Sequence, residues 1–110
     1  MAVPLAASAL VVDTLAAPYG VRRYSVAIAT PGDYRFCVRS PAWVQGELRA
    51  ADGSLLVGTT NRSSNNFFNP EFVQALAAGT YTWDVIARQS AATPFDVIYR
   101  PAGDPHTPCQ

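Results

Sequence analysis

Gly32-Asp33-Tyr34-Arg35-Phe36-Cys37-Val38 and Gly79-Thr80-Tyr81-Thr82-Trp83-Asp84-Val85 carry one phrase: Gly, x, Tyr, x, aromatic, x, Val. Side chains alternate across a strand, so the tyrosine, the second aromatic and the valine of each phrase share a face. Each phrase therefore reads as a turn glycine opening a strand with an aromatic buried side. Two such strands in one short chain predict an all-β sandwich.

The segments around them alternate in the same way. Tyr24, Val26 and Ile28 oppose Arg23, Ser25 and Ala27, and Phe95, Val97 and Tyr99 oppose Asp96, Ile98 and Arg100. Thr30-Pro31-Gly32-Asp33 and Ala51-Asp52-Gly53-Ser54 are turn sequences. Trp43 to Arg49 reads as a strand with a bulge at Gly46, and Leu55 to Thr60 as its return. Glu71 to Ala78 reads as a short helical turn or an extended connection over Phe72, Val73 and Leu76. About seven to eight short strands with regular turn signals predict one antiparallel β-sandwich of jelly-roll type. Residues 1–20 form an apolar arm or first strand, residues 21–100 the sandwich, and residues 101–110 an extended proline-rich tail.

A chain of 110 residues makes one domain and buries roughly two-thirds of its unfolded surface. Its eight arginines balance eight acids, with no lysine. No net field draws nucleic acid or an anionic membrane, and neither is expected as a partner. The apolar run from Met1 to Val12 lacks a basic leading region and stops at Asp13, which argues against a signal peptide. Two cysteines, Cys37 and Cys109, allow one disulfide or none; a bridge would tie the tail to the sheet.

The sequence offers no convergent chemistry. Its single histidine, His106, lies in the tail, away from any base-and-nucleophile set. Asp104, His106 and Cys109 are three ligands where a structural zinc site takes four. Glu47, Glu71, Asp84 and Asp96 are scattered, and Glu47 and Asp84 read as outer-face charges. No catalytic, cofactor-binding or metal-binding residue is expected, and no small-molecule ligand. Contact residues are expected instead: Leu5, Leu10 and Val12 on the arm, Phe67 and Phe68 beside an Asn-rich loop, and Ile86 and Ile98 on otherwise polar strand faces. Trp43 is out of phase with Val44, Gly46 and Leu48, so one of these two sets faces outward.

The order Tyr24-Ser25-Val26, Pro31-Gly32-Asp33-Tyr34-Arg35-Phe36, Leu48-Arg49-Ala50-Ala51-Asp52-Gly53-Ser54-Leu55-Leu56, Leu76-Ala77-Ala78-Gly79-Thr80-Tyr81 and Phe95-Asp96-Val97 resembles the bacterial pre-peptidase C-terminal domain. The resemblance covers roughly residues 21–100. It implies a jelly-roll-like sandwich of the kind attached to secreted enzymes and associated with polymer binding. The build is also similar to that of small decoration proteins of tailed-phage virions. Two functions are therefore expected. One is a non-enzymatic virion subunit of the capsid-decorating type, bound to itself, to a major capsid protein or to another virion protein. The other is a secreted module that binds a glycan or a protein.

Overall fold

The computed structural model describes residues 2–59 and 71–103. Nine strands run through them: β1 (Val3–Pro4), β2 (Val11–Leu15), β3 (Val21–Ile28), β4 (Gly32–Arg39), β5 (Val44–Arg49), β6 (Leu55–Thr59), β7 (Glu71–Leu76), β8 (Gly79–Ala87) and β9 (Thr93–Pro101). They form a five-stranded sheet, β1-β3-β8-β5-β6, and a four-stranded sheet, β2-β9-β4-β7. From β2 onward the strands pair first with last: β2 with β9, β3 with β8, β4 with β7, β5 with β6, all antiparallel. The chain is thus one long antiparallel ribbon folded onto itself, the jelly-roll arrangement.

That ribbon explains the repeated phrase. Its two chains must cross from one sheet to the other at the same fold. β3 crosses into β4 there, and β7 crosses back into β8, with Ile28 opposite Gly79 and Gly32 opposite Leu76. The Tyr34 hydroxyl donates to the Thr30 carbonyl at 2.7 Å, and the Tyr81 hydroxyl donates to the Ala77 carbonyl at 2.8 Å. Each tyrosine therefore pins its own corner four residues back, as tyrosine corners do in other sandwiches. Gly79 takes φ 154° at the second corner.

The phrases also meet in the core. Phe36 and Trp83 hold equivalent places in the two copies, and their ring centroids lie 5.4 Å apart. Phe72 and Tyr99 stack on Phe36 at 5.4 and 5.3 Å. Val38 and Val85 are wholly buried beside them. Such aromatic pairs add about 0.5–1.5 kcal/mol each beyond area burial.

Three expectations change. Glu71 to Leu76 is a strand, not a helical turn: Phe72 and Leu76 pack inward and alternate with the more exposed Val73 and Ala75, a period of two. Gly46 is not a bulge. It lies in regular register opposite Val85, and a Cβ there would fall 2.2 Å from the Trp83 ring. The register shift comes at Leu48/Arg49 instead. Finally, the segment expected as an apolar arm or first strand supplies two strands of the fold. β1 pairs parallel with β3 and β2 lines β9, so the strand total exceeds the expected seven to eight. Leu5, expected as a contact residue, is only 4% exposed and fills the core.

Candidate binding face

The outer face of the five-stranded sheet gathers charges that lie far apart in the chain. Alternation turns Arg23 of β3, Asp84 of β8 and Glu47 of β5 away from the core, and the register sets them side by side: Arg23 opposite Asp84, Asp84 opposite Glu47. Two carboxylates directly opposite one another destabilise a sheet unless neutralised. Here each has its own arginine. Arg23 grips Asp84 with two nitrogens, Nε at 2.8 Å and an Nη at 3.0 Å. Arg49 reaches Glu47 at 2.8 Å, and Gln45 donates to the second Glu47 oxygen at 2.7 Å. The Asp84 bond also raises the Arg23 pKa above its ordinary value. Asp84 is buried although it lies on the outer face. The sequence reading of a plain surface charge is therefore corrected, because Arg23 and the neighbouring strands cover it.

Around this row lies an open depression of about 560 Å³. Val21, Ile86 and Thr82 line it together with the charged groups, and the β5–β6 turn (Ala50, Ala51, Gly53) closes one end. That turn is the Asp-Gly hairpin expected from the sequence. Gly53 takes φ 89°, and Asp52 accepts hydrogen bonds from the Ser54 hydroxyl and amide at 2.7 and 2.9 Å, which lower its pKa. Asp52 is a turn former.

Beyond Val21 and Ile86 the strands end in a row of exposed residues. Val44 and Leu48 are buried, so Trp43 is the outward member of the two sets, 45% exposed. The Arg88 guanidinium lies 5.6 Å from its ring centroid, a cation–π distance. The Arg88 amide donates to the Trp43 carbonyl, and the Tyr19 amide to the Gln89 carbonyl. These bonds bring exposed Tyr19 next to the same sheet end. A rigid sheet thus presents aromatic groups beside a ladder of hydrogen-bonding side chains.

The expected contact residues divide. Trp43 and Ile86 belong to this face. Leu10 and Val12 are exposed on the other sheet, where Val12 borders a second depression of about 270 Å³ with Arg39, Pro41 and Asp96. Ile98 is 5% exposed and packs with Cys37, so it is not available as a surface contact. Cys37 is disulfide-bonded. Phe67, Phe68, His106 and Cys109 lie outside the described residues. Sequence reading missed Tyr19, Val21, Arg23 and Arg49 as members of one surface. The outward phase of Arg23 was legible; the adjacency of the four required the register. Among the described residues, no three His, Cys, Asp or Glu side chains gather as metal ligands, and no helix is long and apolar enough to cross a membrane.

No family model and no curated protein matches the chain. Among solved structures it is similar to the pre-peptidase C-terminal domain of a collagenase from Bacillus anthracis. The TM-score is 0.73 at 10% identity, over 91% of this chain and 95% of that one. The protein has a pre-peptidase-C-terminal-like β-sandwich fold.

Proposed function

We propose that this domain is a non-catalytic binding module that attaches to a macromolecular surface through the outer face of its five-stranded sheet. The observation that carries the reading is exposed Trp43, with Arg88 over its ring, at the start of β5 in the sheet whose outer face carries the Arg23–Asp84–Glu47–Arg49 row. An aromatic supplies apolar contact area at low entropic cost, and paired charges supply fixed donors and acceptors. The fold likeness supports an accessory role, since the similar structure is a domain of a collagenase rather than its peptidase. The Cys37 disulfide supports work outside a reducing cytosol, where such bonds persist. The secreted-module expectation gains from both. Virion decoration shares the same non-catalytic contact role and draws no separate support.

The test is co-sedimentation with insoluble collagen, chitin and cellulose, using the native protein, Trp43→Ala and Arg49→Ala. Retention on one polymer, weakened at least about tenfold by either substitution with the thermal midpoint within a few degrees of native, is expected. Retention on none, or retention indifferent to both substitutions, would discard the reading.

A further inference from the structure

We propose that residues 2–15 are an exchangeable strap, which a second copy of this chain accepts in the same groove to form a strand-swapped dimer. The strap closes one side of the sandwich. β1 lies on β3 of one sheet, Leu5 plugs the core between the sheets, the Ser8 amide donates to the Tyr99 carbonyl at 2.8 Å, and β2 runs along β9 of the other sheet. Asp13 on β2 faces inward and pairs with Arg22 at 3.2 Å. Each of these contacts joins the strap to the body alone. A strap from a second copy makes the identical set.

The connector between strap and body is short and strained. Among the described residues, the non-glycine residues with positive φ are Ser8 at 63° and Tyr19 at 52°, and they bracket β2. The left-handed region is disfavoured for an L-residue, because Cβ crowds the following carbonyl oxygen. At Gly20 the chain doubles back so tightly that a Cβ would lie 2.3 Å from the Ala16 carbonyl oxygen. Opening the connector relieves Tyr19 while every strap contact survives, which is the condition that favours exchange. Two such connectors run side by side in a swapped dimer. Tyr19 and Val21, 61% and 57% exposed at that place, are apolar surface positioned to meet their symmetry mates. The flanking arginines bring no unpaired charge, since Arg22 is held by Asp13 and Arg23 by Asp84.

The test uses the full chain with its native disulfide, refolded from urea at micromolar and at millimolar concentration and sized by sedimentation. A dimer that grows with concentration is expected. V12C/D96C reports its architecture, because these positions face each other across β2 and β9 at disulfide range. Oxidation should give cross-linked species of dimer mass in the dimer fraction and of monomer mass in the monomer fraction. Tyr19→Gly, which accepts positive φ without strain, should lower the dimer fraction at least about tenfold; it carries the test alone if V12C/D96C does not fold. Monomer at every concentration, a dimer holding only monomer-mass cross-links, or dimerisation unchanged by Tyr19→Gly would overturn the proposal.

Discussion

Gly46 owes its identity to one neighbour. It points inward from β5 at the Trp83 ring, and the indole is wholly buried among Phe36, Phe72 and Leu48 with nowhere to retreat. Gly46→Ala should cost about 3 kcal/mol, at the upper end of overpacking penalties, read as a lower urea midpoint at unchanged slope. Tyr24 makes a second residue-scale case. Its hydroxyl is buried beside Asp13. Loss of water, then the Asp13 carboxylate, push its pKa up to about 12 from 10.0. Folding thus favours the neutral phenol. The stability it contributes is complete below pH 10 and is lost as pH rises toward 12. Comparing urea midpoints at about pH 8 and about pH 11 should show a drop for the native protein and a smaller one for Tyr24→Phe. A residual drop is expected in Tyr24→Phe because burial also raises Tyr99.

At the scale of elements, the two corners behave as one device used twice. Tyr34→Phe and Tyr81→Phe each remove a hydroxyl-to-carbonyl bond of nearly equal length, so each should cost about 0.5–1.5 kcal/mol. The double variant should lose close to the sum, within about 0.5 kcal/mol; a large departure in guanidinium titration would mean that the corners fold as a coupled pair. The repeat made β4 and β8 legible in the sequence, because period-two alternation and a turn glycine are local signals. The alternation of β3, β5 and β9 was legible for the same reason. β7 was not, since Phe72, Val73 and Leu76 fit a helical turn as well as a strand until pairing with β4 turned Val73 outward. β1 is two residues long and exists only because β3 offers it a free edge. The binding face was partly legible: phase set Trp43 against Val44, Gly46 and Leu48 but did not say which set faces outward, and the Arg23–Asp84–Glu47 row exists only across three strands whose register no local pattern carries.

For the whole molecule, the remaining question is what holds the last strand's end to the rest. Cys37 stands on the outer face of the four-stranded sheet, buried against Ile98 on neighbouring β9 and disulfide-bonded. A bridge from Cys37 to Cys109, the one other cysteine in the sequence, would close a loop of about 70 residues. In the chain-entropy view such a loop stabilises the fold by roughly 4 kcal/mol, by restricting the unfolded chain rather than by adding native contacts. That sum is a large fraction of the 5–15 kcal/mol typical of a domain. Cys37→Ser and Cys109→Ser should therefore lower stability by similar amounts, and a reductant should lower the native protein's urea midpoint to near theirs while leaving the variants unmoved. Cys37 lines a buried site, so its serine variant should lose somewhat more than that of Cys109. A native midpoint indifferent to reductant, or free-thiol titration finding two reactive sulfhydryls in the oxidised protein, would remove the bridge from the account of stability. The aromatic core between the sheets would then be the main source of cohesion.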